Sequence, residues 1–102
     1  MKTVYSPGLK KMPLSFIFYA LNDPVRLEII RMLLIRKEVS CGECRSKVSK
    51  STMSHHFKVL RESGLIQRRE EGTLHYISIR RTEIESRLPG LLTILGRATG
   101  PL

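Results

Sequence analysis

A helix-forming segment and a β-hairpin follow each other directly in the second half of the chain, and this succession limits the possible folds more than any other feature. Ser49 is a favourable N-cap residue and Gly64 a favourable helix terminator, so the residues between them are predicted to be helical. The β-type runs Leu65–Arg69 and Leu74–Ile79 flank a turn in which Gly72 can adopt a positive φ. The sequence therefore predicts a helix that leads straight into a hairpin.

Shorter helices are predicted before this unit. Leu14–Leu21 is an almost wholly apolar segment, as expected for a helix in a core or an interface. The triplet Asn22-Asp23-Pro24 is a strong helix start, and the apolar residues after it recur at helical spacing to about Arg36. Val39-Ser40 is predicted to be a short strand, and Cys41–Lys47 a helix of at most two turns.

The C-terminal segment predicts a further helix, interrupted once. Thr82 and Glu85 form the Thr-x-x-Glu pattern of a capping box, which places the helix start at Thr82. Pro89 is expected to break or restart the helix, and its apolar face continues to about Ala98.

The order of these elements is that of a winged helix-turn-helix, a mainly α fold with a small β-hairpin wing (α+β). The length of 102 residues fits one domain, which we place at residues 13–102. Residues 1–12 contain lysines and a Pro-Gly pair, and they are predicted to be a flexible basic arm.

The positive charge of the chain is concentrated where the helix and hairpin lie. The formal net charge is +9, and residues 45–81 hold nine basic and three acidic residues. Such a block predicts a polyanionic partner, most often nucleic acid. Few aromatic residues are available to stack on single-stranded bases, so double-stranded DNA is favoured. A chain without an apolar run of 18 residues or a signal peptide is expected to be cytoplasmic and to have no membrane partner.

One face of the predicted helix 50–63 carries small polar and basic side chains that could contact base edges and phosphates. A polar face that only faces solvent is the alternative. The basic residues of the hairpin favour DNA, although Glu70 and Glu71 suggest that the hairpin tip stands off the backbone. The predicted groove contacts are Ser51, Thr52, Ser54, His55 and Lys58, and the predicted phosphate contacts are Lys50, Arg61, Arg68 and Arg69.

Three segments resemble the ArsR/SmtB-type bacterial transcriptional repressors. Residues 20–27 (ALNDPVRL) are similar to the opening motif of that family, and residues 48–66 (VSKSTMSHHFKVLRESGLI) to its recognition helix and following turn. Residues 70–79 resemble its wing. The segment 41–48 departs from the family, because it is shorter and more polar than the usual helix before the recognition helix.

The resemblance implies a repressor that binds a palindromic operator as a homodimer and releases it when a ligand, often a metal ion, binds. The first and last helices usually form the dimer interface in this family. The apolar segments 14–21 and 88–95 fit that role. Two recognition helices related by a two-fold axis would then read half-sites about one helical turn apart.

Cys41 and Cys44 form a C-x-x-C pair that can share a zinc ion or form a disulfide, yet a closed zinc site needs four ligands. The family's thiol metal motif is C-x-C, and it would fall at Glu38 and Ser40, neither of which is cysteine. The two cysteines are therefore candidates for a metal or thiol sensor, or they are incidental.

Candidates to complete a metal site are Glu43, His55, His56 and His75. Of these, His56 falls on the apolar face of the predicted helix and is interpreted as a structural, partly buried histidine. The last helix has Glu83 and Glu85 but no histidine, so the second metal site known in the family is not expected there.

The sequence thus predicts a sequence-specific regulator of transcription with no enzymatic activity, since the chain has no triad, paired-carboxylate or phosphate-loop pattern. The alternative is a winged-helix module that docks an acidic protein through its basic face.

Overall fold

The computed structural model describes residues 2–4, 8–43 and 48–97, with side chains for 8–42 and 48–97. In chain order the helices of this part are α1 (Leu14–Leu21), α2 (Pro24–Ile35), α3 (Lys50–Glu62), α4 (Arg81–Arg87) and α5 (Leu91–Arg97). The strands are β1 (Lys2–Val4), β2 (Val39–Ser40), β3 (Ile66–Glu71) and β4 (Leu74–Ile79), and a single 3₁₀ turn follows β2 at Cys41–Glu43.

The four strands form one antiparallel sheet in the order β1-β3-β4-β2. The predicted hairpin is confirmed as β3 and β4, and Gly72 has a φ of 61° in the turn between them. Tyr76 lies opposite Arg69 on one side and opposite Ser40 on the other, so β2 borders the wing through β4. The fold is the predicted winged helix-turn-helix, with α3 packed against the start of the hairpin.

Local sequence signals place most helix boundaries correctly. Asp23 caps α2 as expected, because its Oδ1 accepts the backbone N–H of Val25 at 2.8 Å and that of Arg26 at 3.1 Å. The predicted break at Pro89 is confirmed, since α4 and α5 lie on either side of it. Of the segment predicted to be a short helix at 41–47, the structure describes only the 3₁₀ turn, and residues 44–47 lie outside the described part.

The start of α4 differs from the predicted capping box. The helix begins at Arg81, and Arg80 occupies the N-cap position without a side-chain cap, so Thr82 lies inside the first turn. The Arg80 N–H donates to the Leu65 carbonyl at 3.1 Å, and the Arg80 carbonyl accepts from Ile84 at 3.0 Å. Because the end of the sheet fixes Arg80, the chain turns into the helix two residues before the predicted cap.

Residues 8–12 belong to the segment predicted to be a flexible basic arm, and in the structure they contact the rest of the domain. Leu9 is fully buried in the core, and its backbone N–H lies 3.5 Å from the Glu83 carboxylate. The Arg87 guanidinium donates to the carbonyls of Leu9 and Met12. β1 adds a strand at the edge of the sheet. A single leucine without periodic neighbours gives no sequence signal, and the pairing of β1 with β3 depends on distant residues.

The core joins all layers of the fold. Fully buried side chains come from the first three helices, the hairpin and α4, and they include Ile17, Ile30, Leu33, Leu60, Ile66, Ile77 and Ile84. None of the helices within the described residues is both long enough and apolar enough to cross a membrane.

Candidate nucleic-acid interface

The first turn of α3 is built by hydroxyl groups. The Ser49 Oγ accepts the backbone N–H of Thr52 at 3.2 Å and donates to the Thr52 hydroxyl at 2.9 Å. The Ser51 hydroxyl lies 3.1 Å from the same Ser49 oxygen. These side chains are exposed. The helix start therefore presents small polar groups, together with N–H groups that favour an anion.

The two faces of α3 have the burial that helical spacing predicts. Met53, His56 and Leu60 are buried, and Phe57 is half-buried. The opposite face is exposed and holds six of the nine predicted DNA contacts, Lys50, Ser51, Thr52, Ser54, His55 and Lys58. The face has no acidic residue up to Glu62 at the helix end, so it can approach a polyanion along most of its length.

Arg26 and His56 fix the position of α3 against the preceding helices. Arg26 is 4% exposed, and its guanidinium donates to the carbonyls of Ala20 at 2.7 Å and Tyr19 at 3.1 Å. A third nitrogen, Nη1, lies 3.1 Å from Nδ1 of His56, whose ring also lies 4.0 Å from the Asp23 carboxylate. One guanidinium thus ties the end of α1 and the start of α2 to the middle of α3.

This cluster also sets the protonation of its members. Burial lowers the pKa of His56, and the charge of Arg26 acts in the same direction against the raising effect of Asp23. The ring is therefore neutral and accepts the Arg26 N–H at Nδ1. Burial favours the protonated form of Asp23, yet the two backbone N–H donors and the charge of Arg26 together hold its pKa below the ordinary value.

Sequence reasoning missed Arg26, because an arginine on an amphipathic helix is ordinarily expected to face solvent. A signal was nevertheless present. The last carbonyls of α1 need donors, and Asn22 occupies the C-cap position without a glycine that could supply a closing turn. An arginine four residues further on can reach them.

A basic cleft of about 850 Å³ lies between α3 and the wing. Its floor is apolar, with Met53, Phe57 and Ile77 among the lining residues. Its polar lining includes Lys50, Ser54, Lys58, Arg61, Arg68 and His75. None of the described residues that line it is acidic. The cleft brings together five of the predicted contacts, and its concave positive surface suits a strand of phosphates.

Arg68 and Arg69 are neighbours on β3, and successive side chains of a strand point to opposite faces. Arg68 lines the cleft, where its Nε is buried without a hydrogen-bond partner and its Nη2 lies 3.3 Å from Glu70. Arg69 is instead bound by Glu38 and Glu71 and does not line the cleft. The structure therefore separates two arginines that were both predicted to contact phosphates.

Comparison with known proteins agrees with this geometry. Residues 21–69 match a helix-turn-helix domain family. An uncharacterised HTH-type transcriptional regulator of Bacillus subtilis (strain 168), YceK, is 46% identical over 82 residues, which cover 78% of this chain and 82% of the relative. An arsenical resistance operon repressor of Staphylococcus xylosus is 38% identical over 69 residues, which cover 61% of each chain.

Solved structures give the same result. HlyU from Vibrio cholerae N16961 superposes with a TM-score of 0.69 at 30% sequence identity, over 82% of this chain and 88% of that one. The chain belongs to the ArsR/SmtB-type family of transcriptional regulators. The relatives are DNA-binding repressors, which supports DNA as the partner of this chain.

This ArsR-type chain leaves apolar side chains exposed on its first and last helices. Leu14 and Phe18 are spaced by one helical turn on α1 and are 46% and 55% exposed. Ile94 on α5 is 67% exposed. Large exposed apolar side chains at these two places mark a surface that a partner can cover.

The structure describes one of the two sensor candidates of this ArsR-type chain. Cys41 is half-buried and lines the cleft, and burial raises the pKa of its thiol despite the nearby charges of Arg68 and Arg61. Cys44 lies outside the described residues. Within the described part, no group of three or more His, Cys, Asp or Glu side chains is placed to hold a metal ion. His75 lies 3.6 Å from Glu70 on the wing, and His56 is held by Arg26.

Proposed function

We propose that the chain is a sequence-specific repressor that binds double-stranded DNA as a homodimer on a palindromic operator. The observation that carries the proposal is the exposed, hydroxyl-rich and basic face of α3, which lies beside a cleft with no acidic residue in its described lining. A helix of this kind fits the major groove, and the wing lies where the flanking backbone would pass.

The residues divide into two roles on this proposal. Small hydroxyls allow close approach of α3 to the base edges, and the cations of the cleft bind phosphates. The groove contacts would be Ser51, Thr52, Ser54, His55 and Lys58, and the phosphate contacts Lys50, Arg61 and Arg68.

The exposed apolar side chains of α1 and α5 support the homodimer. A second copy that covers Leu14, Phe18 and Ile94 would remove them from water and place two copies of α3 about a two-fold axis. A symmetric pair of α3 helices requires a symmetric operator, which is the reason to expect a palindrome.

Selection of duplexes from a random library by the purified protein tests the proposal. The affinity for the selected sequence is then compared with that for a scrambled duplex by fluorescence anisotropy at one salt concentration. We expect a selected palindrome to bind about 10³-fold more tightly or better. Equal affinities would contradict sequence-specific binding and favour a basic module that docks an acidic protein.

The same assay tests a thiol or metal signal, which the proposed repressor would use to release DNA. Binding is repeated with Zn²⁺ and with an oxidant, on the wild type and on the Cys41→Ser/Cys44→Ser variant. A loss of affinity that the double variant lacks would assign the signal to these cysteines. A loss that both proteins share would place the signal elsewhere.

A further inference from the structure

The Arg69 side chain joins two carboxylates from separate parts of the chain. Its Nε and Nη2 donate to the two oxygens of Glu38 at 2.9 and 2.6 Å, and its Nη1 donates to Glu71 at 2.6 Å. The guanidinium also lies over the ring of Tyr76, with the carbon 4.5 Å from the ring centroid. All three guanidinium nitrogens are thus engaged within the protein, in the paired geometry that arginine and carboxylate prefer.

These contacts connect the wing to the strand beside it. Glu38 immediately precedes β2, whereas Glu71 ends β3, and Tyr76 lies on β4 between them. β2 pairs with β4 over only two residues. Because the Arg69 guanidinium binds both Glu38 and Glu71, it adds a side-chain connection between β2 and the wing to the short pairing of β2 with β4.

The same contacts compensate charge on a surface near the proposed DNA site. Glu38 and Glu71 carry two negative charges, and Arg69 offsets one of them while orienting both carboxylates. The bond to Arg69 holds the pKa of Glu38 below its ordinary value, so this carboxylate stays ionised. Without Arg69, two uncompensated carboxylates would repel DNA phosphates.

We propose that Arg69 is a positioning residue for DNA binding: it fastens the wing to Glu38 and compensates Glu38 and Glu71, while its neighbour Arg68 contacts the phosphates. The inference rests on the proposed DNA-binding function. It assigns different roles to two adjacent arginines, because Arg68 lines the basic cleft and Arg69 does not.

A double-mutant cycle separates this role from direct phosphate binding. Arg69→Ala is measured in the wild-type background and in the Glu38→Gln/Glu71→Gln background, by fluorescence anisotropy on the selected duplex. A counter-ion matters only while the carboxylates are charged, so we expect a loss of roughly tenfold in the first background and a much smaller loss in the second. If Arg69 instead contacted phosphate directly, the Glu38→Gln/Glu71→Gln background would free its guanidinium for DNA. Arg69→Ala would then cost as much affinity as in the wild-type background, or more.

Two further variants sharpen the result. Arg69→Lys keeps the charge but cannot bind both carboxylates in the paired geometry, so its affinity is expected between those of the wild type and Arg69→Ala. Arg68→Ala serves as the matched neighbour and is expected to lose affinity to a similar extent in both backgrounds.

Hydrogen exchange without DNA tests whether the contacts of Arg69 with Glu38 and Glu71 stabilise the pairing of β2 with β4. Arg69→Ala is expected to accelerate amide exchange in β2 and β4 about tenfold, while the α2 amides keep their protection. Unchanged exchange in β2 and β4, or an equal loss of affinity in both backgrounds of the cycle, would overturn the positioning role. A wild-type protein that binds no duplex would overturn the proposed function itself, even if the exchange result held.

Discussion

Arg26 and His56 hold α3, the proposed recognition helix, in place, and both act through buried hydrogen bonds. The structural interpretation of His56 is confirmed, because its ring is 7% exposed and bonded to Arg26. Arg26 itself could not be predicted from helical spacing. Its partners Tyr19 and Ala20 come within reach only through the angle between α1 and α2, which is a property of the tertiary structure.

The buried His56 predicts a dependence of stability on pH. Because burial lowers its pKa from the ordinary 6.5, the unfolded chain takes up the proton first as the pH falls. The free energy of unfolding should therefore decrease below pH 6.5 and level off once the folded protein also binds the proton. Urea unfolding monitored by circular dichroism between pH 7.5 and pH 5 measures this.

His56→Asn is the matched control, since an amide oxygen can accept the Arg26 N–H but does not titrate. The groups that face His56 are Asp23 at the N-cap of α2, Arg26 from α2 and His55 from α3, and all three remain in this variant. The wild type should lose more stability than His56→Asn over this pH range. Parallel curves for the two proteins would contradict the assignment.

At the scale of elements, local signals predicted α3 and the hairpin. The elements and contacts that were not predicted depend on residues far apart in the chain. Ser49 and Gly64 delimit α3 as expected. β1 was missed because Lys2 pairs with Glu70, far away in the chain. The burial of Leu9 depends on Glu83 and Arg87 in the same non-local way.

The candidate site shows the same division. The exposed face of α3 followed from spacing alone, since one helix defines it. The separation of Arg68 from Arg69 did not, because it requires the register of β3 and a carboxylate 31 residues away at Glu38.

Alanine substitutions at Gly64 and Gly72 distinguish the energetic cost of a positive φ from the cost of close packing. Gly64 has a φ of 85°, and a Cβ there would lie 3.0 Å from the backbone of Leu9, whereas Gly72 has a φ of 61° with nothing within 4 Å. Gly72→Ala should cost about 1 kcal/mol of unfolding free energy from φ alone. Gly64→Ala should cost roughly 2–4 kcal/mol, because the overpacking against Leu9 is added. Equal losses in urea unfolding would show that Leu9 does not pack against α3 in solution.

At the scale of the whole molecule, the surface divides into a basic face and apolar patches. Four basic side chains line the cleft beside α3, Lys50, Lys58, Arg61 and Arg68, whereas large apolar side chains are exposed on α1 and α5, and also at Ile35 and Leu74. On the proposed function, DNA would bind the basic cleft and a second copy of the chain would cover the apolar side chains of α1 and α5.

A charged residue within the apolar patch should weaken the dimer. Phe18→Asp is expected to raise the dimer dissociation constant roughly 30-fold or more in sedimentation equilibrium, the effect of losing a central interface residue. Ser86→Asp, an exposed position on α4, is the control and should leave association unchanged. Circular dichroism confirms that both variants fold. A Phe18→Asp protein that associates like the wild type would exclude α1 from the interface.

The salt dependence of DNA binding tests most directly whether the cleft beside α3 holds the phosphates. The dissociation constant for the selected duplex is measured over a series of KCl concentrations for the wild type, Lys58→Ala and Arg68→Ala, with the exposed Lys10→Ala as control. Each cleft variant should bind more weakly, and its log–log salt slope should be shallower by about 0.9, the value for one lost phosphate contact. Lys10→Ala should keep the wild-type slope. Wild-type affinity at moderate salt for both cleft variants would contradict the assignment of this surface to DNA.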